Sequence, residues 1–376
     1  MTTAIDPVHF AARLIGCPSV TPEEGGAQAL LGETLERLGF EVSRTMDGEP
    51  PDGPVPNLLA TRGSGGTHFA FAGHTDVVPP GKGWSSDPFV AEIRGDLLYG
   101  RGAVDMKGAI AAFVAAVARI PEDAGKISLI ITGDEEGPAI HGTRALMQHM
   151  AARDIRPDMI LVGEPTSQDR LGDTVKIGRR GSVNMFIDVI GRQSHVAYPH
   201  EGDNPLTRLV RIGERLNALH LDDGNDWFQP SNLEITTIDT GNTAHNVIPG
   251  EAHMRLSIRF NTAHSGAELG ERVATIVEEE APDSRFGAKI SGEAFLTEPG
   301  PLSDLVGAAI EEVTGLTPAL STGGGTSDAR FLHVLCPIVE FGLRNATMHK
   351  LDEAAEIADI QKLTDIYEAI LRRALG

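Results

Sequence analysis

Apolar residues recur along this chain with two periods, and the switch between them divides the sequence. Residues 6–16 and 27–38 place apolar side chains on one face at helical spacing, whereas EVSRT, NLLAT and THFAFAG read as strands. A helix of small residues follows from Met106 to about Ile120, then the apolar strand ISLIIT, a helix near 143–152 and the buried strand DMILVGE. Strands alternating with helices predict an α/β domain with a largely parallel mixed sheet flanked by helices.

After about Lys176 the pattern changes. SVNMFIDVIG alternates like a half-exposed strand, and PLTRLVRIGERLNAL is an amphipathic helix. NLEITTI, AHMRLSIRF, a helix around 266–280 and a strand near 285–291 complete the order strand-helix-strand-strand-helix-strand, the split βαβ arrangement of a ferredoxin-like α+β unit. From about Phe295 the α/β character returns and ends in a long helix from Ala355 to Leu375. The prediction is a discontinuous domain, 1–178 with 295–376, into which a smaller domain, 179–294, is inserted; 376 residues suit two such domains.

Charge and composition narrow the function. A formal net charge of −21 opposes nucleic-acid binding, which needs a basic face. The N-terminal stretch lacks the pattern of a secretory leader, and no stretch approaches the roughly 18 apolar residues of a membrane span. Cys17 and Cys336 form no metal-binding spacing, and two thiols so far apart suit a reducing compartment, so a cytoplasmic location is expected. Gly323-Gly324-Gly325 lacks the spacing of a dinucleotide loop, and there is neither a G-x-S-x-G elbow nor an H-E-x-x-H helix.

Metal-binding side chains instead recur where strands end. FAGHTDVVPPG delivers His74 and Asp76 into a turn, a pairing in which a carboxylate can orient a metal-bound imidazole, although such a pair also suits a surface turn. Asp105 precedes a helix in YGRGAVDMKG and fits either a metal ligand or a helix N-cap. Glu135 and Glu136 follow the strand ISLIIT. Adjacent acids at the mouth of a buried strand are costly unless a positive group binds them, and adjacency allows one to hold metal while the other acts as a base. Glu164 repeats the design in MILVGEPT, and His349 sits in a loop ahead of the final helix. Mixed nitrogen and oxygen ligands suit zinc, or cobalt or manganese, better than calcium or magnesium, and five ligands with a bridging carboxylate fit two ions.

The segments GHTDVVPPG, GRGAVDMKG, DEEGP and GEPT resemble those of the dinuclear zinc aminoacylase, carboxypeptidase and desuccinylase family over essentially the whole chain. IGRRGS, STGGGTSDARF and VEFGLRNATMHKLDE are similar to its desuccinylase branch. The resemblance implies a zinc-peptidase-like catalytic domain, a lid that also forms a homodimer, and two zinc ions per subunit for which cobalt can substitute. It assigns His74 and Glu164 to one ion, Glu136 and His349 to the other, Asp105 to bridging both, Asp76 to orienting His74, and Glu135 to the general base. An oxyanion donor is expected in His195, contributed from the partner subunit, although from sequence alone His195 reads as an ordinary loop histidine.

An N-succinyl diamino diacid is the substrate implied. Arg179 and Arg259 match positions that bind its carboxylates, with Thr326, Asn345 and, across the dimer, Asn246 as further contacts. One motif departs from the family: Gly342-Leu343-Arg344-Asn345 stands where Gly-Pro-Val-Asn is usual, which alters the expected charge at that pocket edge. The zinc ligands alone do not separate a desuccinylase from an acetylornithine deacetylase, a carboxypeptidase or an aminoacylase. A non-catalytic metal-binding protein is the alternative of another class, and a retained free base at Glu135 argues against it.

Overall fold

The computed structural model describes residues 4–376, which form two compact units. One comprises the chain as far as Ile177 together with Thr297–Ser321 and Ser327–Gly376; the other comprises Gly178–Leu296 and Thr322–Thr326.

In the first unit eight strands form one sheet, and three short ones, Glu92–Arg94, Leu97–Tyr99 and Ala354–Glu356, form another. The centre of the larger sheet is a parallel set in the order Lys126–Thr132, His68–His74, Met159–Val162 and Ile338–Glu340. These strands are apolar almost throughout because helices cover them. Antiparallel pairing brings Val55–Arg62 and Glu41–Asp47 onto one side of this set. On the other side lie Thr174–Lys176 and Ala319–Ser321, three-residue strands too short to show a period in the sequence.

The helix Lys107–Val117 is apolar on all sides and wholly buried. Its Phe113 stacks on Phe71 of the central strand with ring centroids 4.1 Å apart, and Tyr367 of the last helix meets both rings edge-on. Tyr367 also satisfies its buried hydroxyl by donating to the Phe341 carbonyl at 2.7 Å. This packing fixes the carboxyl ends of the parallel strands, the edge at which open α/β sheets present their ligands.

The last helix begins later than its composition suggests. Ala354–Glu356 is a strand paired antiparallel with Leu97–Tyr99, and the helix runs Ile357–Leu375. Alanine and glutamate favour a helix locally, but here sheet pairing takes the residues first.

In the second unit, Gly181–Ile190, Asn232–Asp239, Glu251–Phe260 and Arg285–Gly292 form an antiparallel sheet. The first strand lies between the third and fourth, and the second lies outside the third. With the helices Pro205–Asn217 and Gly266–Glu280 this is the ferredoxin-like order that the alternating pattern predicts. The core lies between these helices and one sheet face: Val183, Met185, Ile187 and Val189 alternate inward to meet Leu209, Ile212, Val273 and Ile276. Gly178–Arg179 and Phe295–Leu296 pair with each other, so the segment enters and leaves this unit side by side.

Candidate metal centre

Each strand of the central parallel set leads to a polar side chain at its carboxyl end. His74 closes its strand, Glu135 and Glu136 follow Thr132, and Glu164 follows Val162. Asp105 stands just before the buried helix. The N-cap of that helix is Met106 and no side chain caps it, so the carboxylate of Asp105 is available to turn toward the histidines. His349 arrives from a loop after Ile338–Glu340, with a left-handed backbone at φ 60°.

These side chains converge. His74 Nε2 lies 3.2 Å from Asp105 Oδ1 and 3.8 Å from Glu164 Oε1. His349 Nε2 lies 3.1 Å from Asp105 Oδ2 and 2.8 Å from Glu136 Oε1. Two donor sets result, His74–Asp105–Glu164 and Asp105–Glu136–His349, each with its ligand atoms within 4.8 Å of one another. They share Asp105, which turns one oxygen to each histidine. A third set, His74–Glu135–Glu136, overlaps them.

Hydrogen bonds set the orientations. His74 Nδ1 is 2.9 Å from the backbone carbonyl of Asp76, so a proton on Nδ1 leaves the Nε2 lone pair facing Asp105. The Asp76 carboxylate is farther from that ring, at 3.7 Å. It accepts instead from the backbone N–H groups of Glu135 and Glu136 at 3.3 and 3.0 Å and from Thr21 Oγ1 at 2.7 Å. Asp76 thus supports His74 through its carbonyl and the acid pair through its carboxylate.

The electrostatics call for a cation. Burial opposes a charge on His74, yet the hydrogen bond and charge of Asp105, with Glu135 and Glu164, hold its pKa well above the usual value. His349 is pushed up to about 10 by its hydrogen bonds to Asp105 and Glu136. Burial also opposes ionisation of Asp105, but the two histidines outweigh it and hold its carboxyl below the usual range. Burial pushes Asp76 up to about 6 against the pull of His74 and Thr21. Withdrawal from water, then the charge of Glu164, drives Glu135 well above the carboxylate range. Five acids thus face two imidazoles, and the excess negative charge draws extra protons onto both histidines and, together with burial, onto Asp76 and Glu135. Divalent cations would take the place of those protons, and the mixed N/O donors fit zinc.

The remaining predicted residues occupy other places. Asn345, half-buried in the first unit, donates its backbone N–H to the Ser167 carbonyl at 2.9 Å. Arg344 beside it turns to the last helix and its approach, pairing with Asp359 at 2.7 Å and with Glu356. In the second unit, exposed His195 and Asn246 lie on adjacent segments, joined where Val196 N–H donates to the Asn246 carbonyl at 3.1 Å. Buried Arg179 donates to the Gly325 carbonyl at 3.0 Å and so grips the loop that carries half-buried Thr326, while Arg259 is exposed on its strand. Sequence reasoning missed Thr21, Asp328, Arg101 and Glu353. Asp328 is buried, receives a hydrogen bond from Thr143 Oγ1 at 2.6 Å, and adds its charge to those acting on Glu135. Only Glu353 carried a signal, its place four residues after His349.

Residues 70–373 match peptidase family M20/M25/M40, and the chain belongs to that family. Relatives it resembles over its full length include succinyl-diaminopimelate desuccinylases. That of Rhizorhabdus wittichii is 65% identical over 372 residues, covering 99% of both chains, and that of Zymomonas mobilis is 56% identical over 376 residues, covering all of both. Among solved structures, aminopeptidase PepT from Bacillus cereus superposes with a TM-score of 0.80 at 18% identity, covering all of both chains. The M20 family metallo-carboxypeptidase Sso-CP2 from Sulfolobus solfataricus gives 0.78 at 16%, covering 98% of this chain and 99% of that one. These two likenesses establish the fold. Among the described residues no helix is long and apolar enough to cross a membrane.

Proposed function

We propose that this chain hydrolyses the amide bond of N-succinyl-LL-2,6-diaminopimelate to succinate and LL-2,6-diaminopimelate, a step toward lysine and cell-wall precursors in the cytoplasm. The observation that carries the reading is full-length identity of 65% to a desuccinylase, joined to two donor sets that share Asp105. In this reading residues 1–178 and 295–376 are the catalytic domain, and 179–294 the lid through which two chains dimerise.

His74 and Glu164 would hold one zinc ion and Glu136 and His349 the other, with Asp105 available to both, and cobalt could take the place of zinc. When bound, the ions supply Lewis acidity toward water and the amide carbonyl. Glu135 takes a proton from water as the water oxygen bonds to the amide carbon, then returns it to nitrogen as the carbon–nitrogen bond breaks. His195 of the partner subunit donates to the oxyanion, and Asn246 of the partner subunit contacts substrate. Arg179 and Arg259 bind substrate carboxylates, with Thr326 and Asn345 completing the contacts.

Rates on succinyl-diaminopimelate and acetylornithine, measured side by side, test the substrate. A strong preference for the succinyl compound is expected. Preference for acetylornithine would keep the chemistry and reject the substrate.

A further inference from the structure

Glu353 is fully buried, yet it lies outside both donor sets. Its carboxylate is wrapped by the loop that presents Asp105. Oε1 accepts from the backbone N–H groups of Val104 and Asp105 at 2.8 and 3.1 Å, and Oε2 accepts from the backbone N–H of Gly102 at 3.1 Å and from the guanidinium Nη1 of Arg101 at 2.7 Å. The Glu353 carbonyl closes the ring by accepting from Gly100 N–H at 3.0 Å. Gly102 is left-handed at φ 90°, and a Cβ there would meet the Lys107 side chain at 2.9 Å, so the tight turn around the carboxylate needs glycine.

The same residue stands at the base of the loop that carries His349. Thr347 Oγ1 donates to the Ala354 carbonyl at 2.8 Å and accepts from its N–H at 3.1 Å, which closes the segment between them. Asp352 ties that segment further by accepting from the backbone and hydroxyl of Ser85 at 2.8 and 2.9 Å. Asp105 and His349, 248 and 4 residues from Glu353 respectively along the chain, are thereby fastened to one carboxylate.

We propose that Glu353, held by Arg101, is a positioning residue that locks the Asp105 loop to the His349 loop and so sets the distance across the second donor set. The inference rests on the reading of Asp105 and His349 as metal ligands. Glu353 touches neither metal nor substrate; it acts through the backbone of one ligand and the chain of the other. A buried carboxylate satisfied by four donors resists displacement, because any shift leaves several of them unpaired.

The test is E353Q, which keeps the shape but turns an amide N–H₂ or a weaker oxygen toward these donors. In the folded variant, zinc affinity is expected to fall about ten- to hundred-fold, the effect typical of lost support behind a ligand. The visible spectrum of the cobalt-substituted protein is expected to change, and kcat to fall more than KM rises. A merely structural loss would lower the melting temperature and leave the cobalt spectrum alone. Wild-type affinity and spectrum in folded E353Q would overturn the proposal, whereas a wild-type protein that binds no metal would overturn the ligand reading beneath it. If E353Q does not fold, amide exchange in the metal-free wild-type protein decides. Protected Gly102, Val104 and Asp105 amides support the lock, and exchange at the rate of an open loop overturns it.

Discussion

The backbone N–H of Glu136 donates to the Asp76 carboxylate at 3.0 Å, so the acid two residues beyond His74 also fixes the turn that carries the acid pair. Replacing Asp76 with alanine removes this acceptor, along with those for Glu135 and Thr21. D76A is expected to lower kcat and zinc affinity together, each by about ten- to hundred-fold. Steady-state kinetics with metal analysis on the same preparation checks this, and a variant with full zinc and unchanged kcat would contradict it.

Glu135 is expected to behave differently from its neighbour. If Glu135, which lies outside the two sets that share Asp105, is the proposed proton carrier, its change to glutamine should cost about 10²–10⁴-fold in kcat while zinc content stays near wild type. Loss of zinc in E135Q would move Glu135 from base to ligand.

In the proposed site, protons and metal would compete for the two histidines. In the metal-free protein His349 binds its proton more tightly folded than unfolded, so its contribution to stability is full below about 6.5 and is lost as pH rises toward about 10. His74 acts in the same direction. The melting temperature of the metal-free protein should therefore carry a falling component across that window, which zinc loading removes. Zinc binding near neutral pH should also release protons, measurable from calorimetry in buffers of different ionisation enthalpy. Binding without proton release would contradict the charge balance described for the site.

Arg344 is predicted to matter for stability more than for substrate. Its side chain is 26% exposed and bound to Asp359 and Glu356, so R344A should lose about 1 kcal/mol of stability. KM for the succinyl substrate should change little. A large rise in KM with unchanged stability would return Arg344 to the pocket edge.

The two interleaved units and their main strands could be read from hydrophobic period, because buried strands such as His68–His74 and alternating ones such as Glu251–Phe260 carry distinct patterns. His74, Glu136 and Glu164 could be read for a related reason: an acid or histidine following an apolar strand is conspicuous. Other features depend on distant partners. Whether Asp105 caps a helix or faces two histidines is decided by residues 31 and 244 positions away. Ala354–Glu356 looks helical until Leu97–Tyr99 pairs with it. Arg344 looks like a pocket residue until Asp359 claims it, and the bonds Glu353 makes emerge only when the Gly102, Val104 and Asp105 amides surround it.

Succinate release from succinyl-diaminopimelate by the purified protein, assayed before chelation, after it, and after zinc is restored, bears most directly on the central claim. Turnover that chelation abolishes and zinc recovers is expected, with two zinc ions per chain in the active protein. Turnover indifferent to chelation, or a fully zinc-loaded protein that releases no succinate, would contradict it.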